Sequence, residues 1–206
     1  MVAIIDYGLG NSGSIVNMLR VIGERAIITS DPEKIKIADQ LILPGVGAFD
    51  SGMSELEKRD LIPVIQKEAG LGKPILGICL GMQLLGRRSE EGKKEGLSLI
   101  PFESVRFHFD DREEEKSLKI PHMGWNTTAI KQNKPLLNGI KEIPRYYFVH
   151  SYHAVCDSQE FVLMTCEYGY EFAAAVCKDT IYGVQFHPEK SHDFGMKILE
   201  NFVRKC

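Results

Sequence analysis

Gly77-Ile78-Cys79-Leu80-Gly81 sets a cysteine between an apolar run (residues 74–78) and a helical pattern (residues 80–88). This is the G-x-nucleophile-x-G elbow, read in a strand-to-helix setting. A nucleophile at such a turn is held in a strained backbone that thrusts its side chain outward. Glycines on either side remove Cβ atoms that would strike neighbouring backbone. The free N–H groups of the following helix favour the thiolate, and the Leu80 N–H is available to a developing oxyanion. Taken alone, the pattern fits a buried structural cysteine equally well, and chemistry requires a base.

Gln185-Phe186-His187-Pro188-Glu189-Lys190-Ser191 supplies one. His187 ends an apolar strand pattern, Pro188 fixes the chain after it, and Glu189 can return to hold the far imidazole nitrogen. A nucleophile, a base and a carboxylate that sets the tautomer form a triad. His150, in Phe148-Val149-His150-Ser151-Tyr152, also ends a strand and competes for the role, but has no carboxylate two residues on. The other histidines (108, 122, 153, 192) have no metal-ligand spacing, so neither a metal nor another cofactor is expected.

Two glycine-rich turns follow apolar strands. Pro44-Gly45-Val46-Gly47 allows a backbone flip that can aim an N–H at an oxyanion, or it is a plain strand-to-helix turn. Gly8-Leu9-Gly10-Asn11-Ser12-Gly13 matches the letters of a dinucleotide fingerprint. The second strand nevertheless closes Ile27-Ile28-Thr29 with no acid for a ribose, although Asp31 stands two residues on. A dinucleotide site is not expected.

The elements that must position these residues alternate as in α/β folds. Strands are expected at residues 2–5, 25–28, 39–43 and 74–78, with helices at 15–22, 52–58, 62–68 and 80–88. Beyond residue 97 strands dominate, at 104–109, 146–150, 161–167, 172–177 and 181–186, before an amphipathic helix at 191–205. Residues 110–116 (DDREEEK) read as a solvated charged loop. The expectation is one domain over residues 1–206. Its core is a three-layer, open, mostly parallel sheet flanked by helices, and its C-terminal half is β-rich.

Composition agrees. With 44% hydrophobic and 26% charged residues, neither disorder nor coiled coil fits. A net charge of −3 with scattered Lys and Arg gives no face for nucleic acid or anionic membrane. No apolar run approaches about 18 residues, and the start MVAIIDYG lacks the basic flank of an export signal. The five cysteines (79, 156, 166, 177, 206) are odd in number and without C-x-x-C pairing, so free thiols in the cytoplasm are expected.

LPGVGAF (43–49), GICLGMQLL (77–85), PHMGWN (121–126), YYFVHSY (146–152) and YGVQFHPEKS (182–191) together resemble the class I, triad-type glutamine amidotransferases. The resemblance spans nearly the whole chain and includes the opening DYGLGN. PGVG and PHMGWN bring it nearest to the glutaminase subunits of imidazole glycerol phosphate synthase. The resemblance implies that Cys79 attacks the amide of L-glutamine, giving a γ-glutamyl thioester and ammonia. His187, held by Glu189, would protonate the departing ammonia and then activate water. Leu80, Val46 and Gly47 would form the oxyanion hole, and Gln83, Glu91, Ser151 and Tyr152 would hold glutamine. The implied partner is a (β/α)₈-barrel synthase subunit in a heterodimer of histidine biosynthesis, with Trp125, Tyr147 and Lys190 at the docking face and ammonia gate. These three suit a packed Trp, a sheet Tyr and a surface Lys as well. EKSHDFG (189–195) departs from the pattern and is equally like paralogues that feed ammonia to sugar-modification enzymes. A self-sufficient γ-glutamyl Cys hydrolase is a further alternative.

Overall fold

The computed structural model describes residues 1–109, 118–141 and 143–206, so the charged stretch expected as a loop at 110–116 lies outside the described residues. In chain order the elements are β1 (Val2–Ile5), α1 (Ser12–Ile22), β2 (Ala26–Thr29), α2 (Pro32–Ile37), β3 (Gln40–Leu43), α3 (Phe49–Lys58), α4 (Leu61–Gly70), β4 (Ile75–Ile78) and α5 (Leu80–Leu84). Then come β5 (Phe102–Arg106), β6 (His122–Ile130), β7 (Arg145–His150), β8 (Tyr152–Cys156), β9 (Val162–Tyr168), β10 (Tyr170–Lys178), β11 (Ile181–Val184) and α6 (His192–Lys205).

One mixed sheet runs β2-β1-β3-β4-β11-β10-β9-β6-β7, with β8 branching from β10 and β5 pairing β8. From β2 to β11 every pairing is parallel. The pairings of β5 to β10 are antiparallel. β1 (VAII), β4 (ILGI) and β11 (IYGV) are buried at every residue. Continuous apolar runs of this kind mark parallel strands covered on both faces. Alternate residues divide accordingly. Val2 and Ile4 pack with Ile15 and Leu19 of α1 and Ile198 and Phe202 of α6. Ala3 and Ile5 pack with Phe49 and Leu56 of α3 and Ile65 of α4 on the opposite face. The α/β layers expected from the sequence are present.

Local chemistry explains two departures. α2 was not expected; Asp31 caps it, its carboxylate accepting from the Glu33 N–H at 2.9 Å, with Pro32 in the first turn. Asp31 is therefore a helix cap and not a ribose acid. The helix expected over 80–88 stops at Leu84, because the 97–100 segment takes the carbonyls it would have used. Leu97 N–H donates to Leu84 O, and the N–H groups of Leu99 and Ile100 donate to Leu85 O. Strands β6 and β8 were also unforeseen. Among the described residues, no helix is long and apolar enough to cross a membrane, and no group of three or more His, Cys, Asp or Glu is arranged to hold a metal.

Candidate active site

The parallel register decides where the chemistry collects. Leu43 of β3 pairs Gly77 of β4, and Ile78 of β4 pairs Val184 of β11. The turn 44–47, Cys79 and the 185–187 segment therefore leave adjacent strands at their C-terminal ends, where open α/β sheets form their crevice.

Cys79 has φ 53° and ψ −111°, a conformation unusual for a residue with a side chain. Its N–H donates to Val184 O at 2.8 Å, tying the bend to β11. Close backbone contact surrounds it. A Cβ on Gly81 would stand 1.8 Å from Leu43 O, and one on Gly45 would stand 2.8 Å from Gly81 N and 2.4 Å from the Tyr7 hydroxyl. Only glycine lets β3 and α5 approach so nearly. Tyr7, fully buried, donates its hydroxyl to Pro44 O at 2.5 Å and pins the start of the second glycine turn. Gly47 takes φ 110°, and Val46 is exposed. Because α5 is only five residues long, the expected help of a helix dipole to the sulfur is small.

His187 and Glu189 are both buried, and the imidazole Nδ1 lies 2.8 Å from Glu189 Oε1. A carboxylate accepts, so Nδ1 carries the proton and Nε2 is the ring's other nitrogen. Nε2 and Glu189 Oε2 have no hydrogen-bond partner. Burial alone would depress the imidazole pKa; Cys79 and Glu189 overturn this and raise it to about 9. The backbone is fixed as well. The His187 N–H donates to Tyr147 O at 2.9 Å, and the buried Ser191 hydroxyl donates to His187 O at 2.6 Å.

A pocket of about 300 Å³ is lined by Val46, Gly47, Cys79, Leu80, Gln83, Glu91, Ser151, Tyr152 and His187, joined by Pro121, Val149 and His150. All four residues expected to hold substrate and all three expected at the oxyanion hole are thus at one cavity, with Glu189 behind His187. Gln83 is buried, its amide N–H groups donating to Tyr152 O at 3.2 Å and Gln185 Oε1 at 3.0 Å. Glu91 is exposed, but it is tied to α3, for Oε2 accepts the Phe49 N–H at 2.8 Å. Nearby, Asp50 accepts from the Lys93 and Lys94 N–H groups, which lower its pKa. Two reciprocal ties thus hold the 89–94 loop to the N-terminus of α3.

His150 differs from His187. Its Nδ1 is 2.8 Å from Tyr152 O and its Nε2 3.0 Å from His122 Nδ1. The carbonyl requires the proton on Nδ1, so Nε2 accepts from His122. Burial drives the pKa of His150 to about 3 and that of His122 to about 4. Both are neutral.

Trp125, Tyr147 and Lys190 form a separate outer cluster, not part of the pocket lining. Trp125 pairs Tyr147 across β6 and β7, and Lys190 Nζ lies 5.6 Å from the Tyr147 ring centre. His192 stacks on Trp125 at 5.2 Å, and Arg145 approaches the same ring at 5.5 Å. Trp125 is 41% exposed, which sets aside the packed-core reading. Gln185, Val149 and Pro121 were not singled out from sequence. Gln185 had a signal, being a polar residue inside an apolar strand pattern two positions before His187.

Residues 3–206 match the family description Glutamine amidotransferase class-I. The chain is 53% identical to the imidazole glycerol phosphate synthase subunit HisH 2 of Methanococcus maripaludis, over 100% of both chains. It is 49% identical to the protein of the same name from Pseudomonas aeruginosa, over 98% of each. Among solved structures, PurLQS from Thermotoga maritima superposes with a TM-score of 0.72 at 20% identity, covering 98% of this chain and 96% of that one.

Proposed function

The chain belongs to the class I glutamine amidotransferase family, and from that premise we propose that it is the glutaminase subunit of an imidazole glycerol phosphate synthase. The observation that carries this is the strained Cys79 sharing a cavity with His187, whose far nitrogen is held 2.8 Å from Glu189. Full-length identity of 53% to a subunit of that synthase supports the assignment.

Cys79 attacks the side-chain amide carbon of L-glutamine. The tetrahedral oxyanion is received by N–H groups of Leu80 and of the Val46–Gly47 turn. His187 protonates the departing nitrogen, releasing ammonia and leaving the γ-glutamyl thioester. It then takes a proton from water as that water attacks the thioester, and glutamate departs. Glu189 keeps the imidazole in the useful tautomer and stabilises its charged form. Gln83, Glu91 and the Ser151–Tyr152 backbone hold the substrate's polar ends. Residues 1–206 work as one glutaminase domain in the cytoplasm, without metal or other cofactor and without nucleic acid or membrane. The partner is a (β/α)₈-barrel synthase subunit docked at Trp125, Tyr147 and Lys190, which receives the ammonia for histidine biosynthesis.

The test is glutamine hydrolysis with and without the barrel subunit that co-purifies with the chain. Cys79→Ala abolishes turnover while the fold is retained, and the partner accelerates the unmodified chain. Hydrolysis surviving in Cys79→Ala, or full turnover with no partner, would contradict the assignment. A second reading keeps the glutaminase and changes the acceptor to that of a sugar-modification enzyme. It rests on the divergent 189–195 segment, whose His192 stacks on Trp125 at the proposed docking face and so would meet the partner. Identifying the co-purifying barrel separates the two.

A further inference from the structure

Resting on the reading of Cys79 as the attacking group, we infer that Gln185 is a further catalytic residue, which donates a side-chain N–H to the Cys79 sulfur and steadies it as an anion. Gln185 is wholly buried, directly beyond β11, and its own N–H is fixed on Ala174 O at 2.9 Å. Its Oε1 accepts from Gln83 Nε2 at 3.0 Å. Only the oxygen of an amide can accept, so this bond settles which way the group faces and turns its NH₂ the other way. There it meets Cys79 Sγ at 3.7 Å, within reach for a large sulfur acceptor.

The sulfur has a contact of opposite sense. Val149 O lies 3.9 Å away, a carbonyl that suits an S–H and repels an S⁻. Gln185 therefore offsets Val149 on the other side of the same atom. Donors to an ion inside a protein act more strongly than in water, since little solvent competes. The arrangement also links binding to attack. Gln83 holds Tyr152 O and Gln185 together, so the strand proposed to carry glutamine is joined through two amides to the nucleophile.

Alkylation by iodoacetamide, followed at residue 79 by peptide mass spectrometry, tests the contact. The other cysteines are poor competitors, with burial raising Cys156 and Cys166 to about 12, Cys206 to about 11 and Cys177 in the same direction. Gln185→Met keeps the shape and removes the donor. Its residue 79 is expected to react about tenfold more slowly than the parent at about pH 7, and equally fast at about pH 10, where a thiol ionises without help. Equal rates at both pH values would overturn the inference. So would equal slowing at both, which reports altered access. If Gln185→Met does not fold, Gln185→Asn retracts the amide by one methylene and should give the same pattern. Glutamine hydrolysis by Cys79→Ala, measured beside these, tells failure of the glutaminase reading from failure of the Gln185 contact.

Discussion

His150 ends β7 and His187 follows three residues after β11; both are buried and both line the same pocket, yet their chemistry is opposite. Around His187 a carboxylate two residues on and a nearby sulfur overcome burial and lift the ring to about 9. Around His150 the Tyr152 carbonyl opposes burial too weakly, neighbouring imidazoles add to it, and the ring falls to about 3. Depth in the protein does not separate a base from a strut; the charge of the neighbours does. His150 is locked with one donor and one acceptor and is suited to hold the Val149–Tyr152 backbone. His187 keeps Nε2 unengaged and is suited to exchange a proton.

Removing each ring breaks the comparison most sharply. His187→Ala should lower kcat for glutamine hydrolysis about a thousandfold or more, and Glu189→Gln roughly a hundredfold, both in protein that still folds. A His187→Ala enzyme with near-normal kcat would reverse the assignment of roles. His150→Gln should instead raise KM about fivefold, as a strand hydrogen bond loosens, with kcat changed by less than about threefold. A collapse of kcat in that variant would make His150 the base.

The smaller test is stability against pH, where the two rings pull in opposite directions. The folded-state pKa of His187 is raised above its unfolded value, so its stabilisation is complete below about pH 6.5 and is lost as pH climbs through about 9. His122 and His150 are depressed, so they cost nothing above about pH 6.5 and destabilise progressively as pH falls toward 4 and 3. Denaturant melts should therefore weaken on both sides of neutrality. The alkaline loss, on the order of 2 kcal/mol, should vanish in His187→Gln, and the acid loss should persist there. An alkaline arm unchanged in that variant would show that His187 carries no raised pKa.

The two halves of the sheet also differed in how plainly they could be read. β1, β3, β4 and β11 are short, predominantly apolar runs, and each lies within a residue or two of its expected place. The pocket followed, because Cys79, the 44–47 turn and His187 sit at the ends of those runs. In the antiparallel half, β6 reads HMGWNTTAI, with alternating burial and Gly124 at φ 136°, and has no continuous apolar signal. β8 begins at Tyr152, with Ser151 alone between it and β7, too short a break for local pattern to mark. The early end of α5 depends on carbonyls taken by a loop more than ten residues downstream, which local pattern does not carry. Gln185 was missed for a similar reason, since its partners Gln83 and Cys79 are distant in sequence.

The most direct test of the central claim is covalent. The chain, with its barrel partner, is treated with a glutamine analogue bearing an electrophilic diazoketone, and the modified peptide is identified. One adduct per chain, on Cys79, that is lost in His187→Ala and competed by glutamine is the predicted result. Modification of another cysteine at equal rate, or none at residue 79, would contradict a thiolate nucleophile served by His187 and Glu189.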